Sequence, residues 1–284
     1  MNTAGYLSRL GLSRLIDAPA SAEGLRALHV AHVERVAYEA LEIWLDRPTS
    51  LDPVESADRI IRGRGGYCYH LNGAFSELVR SLGYDVTRHV GGVQNPGSEP
   101  GIIGNHLVLT VRGLPTAGNP GGEWLADLGL GDGLHEPLPL VAGTYRQGPF
   151  TYVLRPSEIA PGGWRFDHDP SGSFVGMDFE RIPTDMSAFA DMHTHLSTSP
   201  SSGFVRTAVV QRRDASGVDS LRGLVLSRLG NGTHSVTLDT ARDYYAALAD
   251  VFLLTFDDLS RQDKEGLWSR LHDAHESWLT GRTT

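Results

Sequence analysis

The apolar pattern of the chain changes period near residue 84. Before that point apolar positions recur at helical spacing. Leu25, Leu28 and Val36 fall on one face of a predicted helix. Leu71, Phe75, Leu78, Val79 and Leu82 form a second amphipathic stripe, closed by Gly83 where a helix C-terminus favours glycine. Asp52-Pro53 predicts another helix start, with Asp as cap and Pro in the first turn, running on through Ile60 and Ile61. From Tyr84 the period becomes two. Val86, Arg88 and Val90 alternate with Thr87 and His89, a strand ending at Gly91-Gly92. Leu107, Leu109 and Val111 alternate with His106, Val108 and Thr110, and Glu123 to Gly129 reads as a third short strand. The stretch from Gln94 to Gly104, rich in Gly, Pro, Ser and Asn, is a loop. These three strands predict successive antiparallel members of one sheet or small barrel.

Further on, Tyr152-Val153-Leu154 and Trp164-Arg165-Phe166 read as strands, and Asp178-Phe179-Glu180 as the opening of a helical region. His193 and His195 fall on one side of a segment read as extended. Leu224-Val225-Leu226 and Ser235 to Leu238 read as strands. Thr240 caps a helix through Phe252, and a last helix surrounds Trp268, Leu271 and Trp278.

Composition narrows the class. A length of 284 residues allows one large domain or two to three smaller ones. With 40% apolar and 21% charged residues the chain is globular. Its net charge of -9 argues against a nucleic-acid or anionic-membrane surface. No stretch approaches the ~18 apolar residues of a membrane span, and the N-terminus lacks a signal-peptide run. A single cysteine allows no internal disulfide, so a cytoplasmic location is expected.

That cysteine carries the candidate chemistry. Cys68 follows Arg64-Gly65-Gly66-Tyr67 and stands at or just before the first turn of the predicted helix. Free N–H groups and the helix dipole favour a thiolate there. A buried structural cysteine is the alternative. A thiol nucleophile needs a base, and the base an orienting group. His106 at a strand start and Asp127 at a strand end are the candidates, brought close if the two strands pair, and His89 is the rival base. His29 and His32 share the face of Leu25 and Leu28. With no third ligand nearby they read as packing residues rather than a metal pair, and the same shortage argues against zinc at His193 and His195.

Arg64-Gly65-Gly66-Tyr67-Cys68, Asn105-His106-Leu107 and Asp127-Leu128-Gly129-Leu130-Gly131 resemble the three signature blocks of the arylamine N-acetyltransferase family. The likeness extends to Leu28-His29 with His32, Tyr38-Glu39-Ala40-Leu41, Phe166, Asp178-Phe179 and Ser197-Thr198-Ser199-Pro200. It implies an α+β fold: a helical bundle over 1–83, a central antiparallel β-barrel over 84–190 and an α/β lid over 191–284, with a cysteine-protease-like core. It also implies a Cys68-His106-Asp127 triad and ping-pong transfer of an acetyl group from acetyl-coenzyme A to an aromatic amine or hydrazine. No metal, nucleic acid or membrane partner is expected, and a homodimer is left open. Arg64, Glu39, Tyr69, His70 and Leu130 are the expected supporting residues. The loop Gly97 to Gly104 is read either as a surface turn or as part of the coenzyme cleft, with Ile103 and Gly104 as its contacts.

Three departures from the family pattern stand out. His70 replaces a Glu, Tyr38-Glu39-Ala40 replaces Phe-Glu-Asn, and Leu130 replaces an aromatic residue. The first two leave Arg64 expected to rely on Glu39, with His70 either a structural hydrogen-bonding group or a second titrating group. The third removes an aromatic wall from the acceptor site. Three rival functions remain within this reading: an amide synthase acting on a carrier-bound acyl chain, a thioesterase or peptidase with the same triad, and a binding protein with a decayed site.

Overall fold

The computed structural model describes residues 1–281, so the last three positions of the expected lid lie outside it. Up to residue 84 the chain is built on α1 (Thr3–Arg9), α2 (Ala22–Arg35), α3 (Leu41–Trp44), α4 (Pro53–Ile61) and α5 (Cys68–Ser81). Asn2, Ser21 and Asp52 cap α1, α2 and α4 by accepting hydrogen bonds from first-turn amides. α5 stops where Gly83 turns to φ +85°. Tyr6, Leu25, Leu28, Ile60, Phe75 and Leu78 fill the space between the helices.

One strand interrupts this helical part. β1 (Tyr38–Glu39) pairs not with its neighbours but with a strand some 170 residues later in the chain.

The barrel follows: β2 (Asp85–Gln94), β3 (His106–Arg112), β4 (Trp124–Leu125), β5 (Leu138–Pro139), β6 (Gly143–Gln147), β7 (Phe150–Pro156), β8 (Trp164–Asp167) and β9 (Gly176–Phe179). All pairs are antiparallel, in the order β5-β4-β3-β2-β9-β8-β7-β6, and the sheet curls into a nearly closed barrel. The period-two pattern of β3 divides its side chains between two cores. Leu107, Leu109 and Val111 pack on the helices, while Val108 faces Tyr152, Phe166 and Met177 in the barrel.

The remaining elements are α6 (Ala190–Thr198), α7 (Gly203–Arg206), β10 (Val209–Asp214), β11 (Gly217–Arg222), β12 (Val225–Gly230), β13 (His234–Thr237), α8 (Ala241–Asp250) and α9 (Arg261–Gly281). The second sheet runs β1-β10-β11-β12-β13, all antiparallel. A third core of Trp44, Leu221, Tyr244, Leu248, Phe252 and Leu271 lies beneath it. No helix among the described residues is long and apolar enough to cross a membrane.

Two local expectations fail. Asp178-Phe179 ends strand β9 and does not open a helix. Its run is short and buried on both faces, where periodicity cannot separate strand from helix. Residues 190–198 are helical, not extended. The hydroxyls of Ser197 and Thr198 are spent on carbonyls one turn back, so they do not compete for the helix amides. His193 and His195 therefore leave the helix on different sides.

Candidate active site

The approach to Cys68 is shaped by close backbone contact. The Gly66 carbonyl accepts from the Glu39 N–H at 2.9 Å, which holds the glycine turn under β1. A Cβ on Gly65 would collide with the Ala37 carbonyl oxygen, and one on Gly66 would stand 2.6 Å from the His70 Cβ. Tyr67 is the cap of α5 and Cys68 its first residue. The thiol is buried, 3% exposed, and its sulfur lies 3.7 Å from the Asn105 carbonyl oxygen. Gly129 presses on it from the other side, where a Cβ would sit 2.6 Å from the Cys68 Cα.

His106 opens β3, and its Nε2 lies 2.8 Å from Asp127 Oδ2, both side chains buried. An ionised carboxylate only accepts, so Nε2 carries the proton and Nδ1 is left for the sulfur. Burial pulls the His106 pKa down, but the charge and hydrogen bond of Asp127 outweigh it. With a smaller contribution from Cys68, the pKa is raised to about 10. Asp127 thus favours the imidazolium, the form the ring takes once it accepts a proton.

Asp127 is held by more than histidine. Its Oδ1 accepts from Asn72 Nδ2 at 2.8 Å and from the Gly129 N–H at 2.9 Å. Asn72 also donates to the Leu107 carbonyl and accepts from the Leu128 N–H. The sequence reading missed Asn72 as a supporting residue. Its signal was its place four residues after Cys68, on the same helix face. His29 grips the same loop, with Nε2 3.2 Å from the Asp127 carbonyl oxygen and Nδ1 3.1 Å from that of His135.

The other named residues fall as follows. His89 is turned away, bonded to Thr110 Oγ1 at 2.8 Å and facing the Ile182 carbonyl. His70 Nδ1 accepts from the Tyr67 N–H at 3.3 Å and so closes the first turn of α5. Burial drives its pKa well below the usual range, with Arg59 and His193 adding to the shift, so it carries no charge at neutral pH. Arg64 does not rely on Glu39. It pairs with Glu42 and with Asp258 at 3.0 Å, and lies 3.9 Å over the Phe256 ring. Glu39 is turned back instead to accept from the Leu41 N–H at 2.7 Å. Tyr69 donates to the Gly104 carbonyl at 2.6 Å. Ile103 is 61% exposed, and neither it nor Gly104 lines the cavity described next.

That cavity, of about 410 Å³, has Cys68, His106 and Gly129 on its inner wall. Leu130 lines it as well. Phe174 and Phe204 supply aromatic faces from the barrel and from α7, which sequence reasoning did not foresee. Tyr38 and Gln211, opposite one another on β1 and β10, close another side. No group of three potential metal ligands occurs among the described residues.

Known proteins resemble this chain in sequence and in fold. A family model described as N-acetyltransferase matches residues 21–260, which sets the class as an acyltransferase. The arylamine N-acetyltransferase of Mycolicibacterium smegmatis is 29% identical over 275 residues, covering 93% of this chain and 95% of that protein. The arylamine N-acetyltransferase / N-hydroxyarylamine O-acetyltransferase of Salmonella typhimurium is 34% identical over 131 residues, which span 44% of its length. The structure of Mycobacterium marinum arylamine N-acetyltransferase in complex with CoA superposes with a TM-score of 0.82 at 25% identity, covering 96% of this chain and 99% of that one. The chain belongs to the arylamine N-acetyltransferase family.

Proposed function

We propose that this chain moves an acetyl group from acetyl-coenzyme A to an aromatic amine or hydrazine through a thioester on Cys68. The observation that carries the reading is the buried 2.8 Å His106–Asp127 pair on a cavity wall shared with the first residue of α5. His106 Nδ1 takes the thiol proton, and the resulting thiolate attacks the donor's carbonyl carbon. The oxyanion that forms lies near the Cys68 N–H, which has no intrahelical partner at this position. Collapse expels the coenzyme thiolate, which takes the proton from His106 and leaves an acetylated sulfur. The amine then attacks this thioester and His106 accepts its proton. Cys68 departs as a thiolate beside the imidazolium. Asp127 keeps the ring in the productive tautomer throughout. A 410 Å³ chamber suits a small acceptor.

The test is incubation with acetyl-coenzyme A, with and without an arylamine, followed by intact-mass analysis. Acetylated Cys68 without the amine, and acetylated amine with it, are the expected results. Free acetate alone would assign the site to a hydrolase. No reaction with any coenzyme A ester would assign it to a carrier-bound acyl chain.

A further inference from the structure

One part of the cavity wall carries charge that the acetyl-transfer scheme leaves unused. Arg206 ends α7 and Arg222 ends β11, and both line the cavity that contains Cys68. Among the described residues neither guanidinium has a hydrogen-bond or ion-pair partner. Both residues are exposed, and in this they differ from the chain's buried arginines, whose guanidiniums are engaged. Arg64 is held by Glu42 and Asp258, Arg165 by Asp178, and Arg213 by the carbonyls of Gly217 and Gln147. The contrast is sharper because the chain as a whole carries -9. No Asp or Glu among the described residues lines the cavity.

The sheet register places Arg222 in this chamber. Arg222 stands opposite Val209, and Gln211 on the same strand stands opposite Tyr38. Val209, Gln211 and Tyr38 all line the wall. The Tyr38 hydroxyl responds to both ends of the chamber. Burial raises its pKa, Cys68, Tyr67 and the buried Asp132 add to the rise, and Arg222 opposes it. A cleft walled by charge of one sign concentrates ligands of the other. A guanidinium offers a planar fork matched to carboxylate and phosphate oxygens.

We propose that Arg206 and Arg222 form an anion-recognising rim for the charged end of a substrate, while its reacting end lies at Cys68 against Leu130, Phe174 and Phe204. The inference rests on the acyl-transfer reading of the site. The anion is either a phosphate of the coenzyme or a carboxylate on the acceptor ring, and both present the same oxyanion chemistry. The rim also disfavours alkylamines, which are ammonium ions at neutral pH, and leaves neutral aromatic amines unopposed.

The two half-reactions separate the two sources. Arg206→Gln, Arg222→Gln and the double variant remove the charge and leave a polar, uncharged side chain at exposed positions, where folding is not at stake. For the first half, the rate of Cys68 acetylation is compared between acetyl-coenzyme A and neutral p-nitrophenyl acetate. For the second, 4-aminobenzoate is compared with aniline as acceptor from enzyme already acetylated. In the double variant the charged-to-neutral rate ratio is expected to fall about tenfold or more in one half, and the fall should shrink as salt is raised. A fall in the first half assigns the rim to the coenzyme, and one in the second half to the acceptor. Ratios within twofold of wild type in both halves overturn the proposal. If wild-type Cys68 takes no acetyl group from either donor, it is the acyl-transfer reading that has failed. Calorimetric titration with coenzyme A and with 4-aminobenzoate then decides the rim by itself. Weaker binding of either by the double variant supports it, and equal binding of both overturns it.

Discussion

At the scale of single residues, the site depends on one buried pair whose charge state is set by geometry. His106 is enclosed by protein, which alone would favour the neutral ring, yet Asp127 at 2.8 Å raises its pKa to about 10. The sign of the consequence follows from linkage. The folded state holds this proton more tightly than the unfolded chain, whose histidine titrates near 6.5. The pair's contribution to stability is therefore complete below pH ~6.5 and is lost as pH rises through about 10. The Tm of the wild type should decline across that window, and His106→Gln should lack this component of the decline. Scanning calorimetry from pH 6 to 10.5 measures both, and parallel curves would disprove the assignment. The same variant should slow alkylation of Cys68 by iodoacetamide at pH 6 by about tenfold or more, because the imidazolium that favours the thiolate is gone. His70, one of the departures from the family pattern, works differently. It closes the first turn of α5 as a neutral ring, so it supports the backbone next to Cys68 without adding charge.

At the scale of elements, helices hold the site through histidines that do not touch the thiol. His193 Nε2 donates to the Thr49 carbonyl at 2.8 Å, so its Nδ1 accepts from the Tyr67 hydroxyl at 2.6 Å. α6 is thereby tied to the cap of α5. From α2, His29 spans the loop that carries Asp127, and His32 Nε2 meets the Tyr6 hydroxyl at 2.8 Å. Burial lowers the pKa of His29 to about 4 and that of His32 to about 3. Here the linkage runs the other way from His106. Stability is complete above pH ~6.5 and is lost as pH falls toward these values, since the unfolded chain takes up protons first. The expected outcome is a Tm that drops between pH 6.5 and 4, with a shallower slope in His32→Gln. An identical slope in that variant would rule out His32 as a source of acid sensitivity. In sequence, His29 and His32 are legible as residues of one helix face. That they serve packing and loop anchoring depends on β4 and the loop after it lying against that face.

At the scale of the whole molecule, residues distant in sequence lock the glycine turn before Cys68. β1 pairs with β10, and Arg64 reaches Asp258 near the end of the chain while holding Glu42 in the helical part. Arg64→Ala would leave the buried Glu42 without this partner and strip the cation from the Phe256 ring. A loss of about 3–5 kcal/mol is expected for breaking a buried pair, read by urea unfolding. A loss below about 1 kcal/mol would show the network to be a surface-like ion pair. The partner swap from Glu39 to Glu42 was invisible in sequence, because both are acids near the same turn. Their side-chain directions are set by β1 and α3, and β1 exists only through its pairing with β10.

The linear pattern of residues by itself determined the helical opening, the shift to strands at residue 84, the place of Cys68 at a helix start and the pairing of β2, β3 and β4. These features follow from local periodicity, capping and turn chemistry, which act between neighbours in the chain. The family resemblance rests on short blocks whose spacing is likewise local. Tertiary structure alone decided that Asp178-Phe179 is a strand, that Asn72 secures Asp127 and that Phe174 and Phe204 stand where Leu130 leaves room. It also decided that two arginines, unpaired among the described residues, share a cavity with the thiol. Each of these outcomes joins residues tens to more than a hundred positions apart, and such contacts are fixed by packing between elements rather than by any property of the segments themselves.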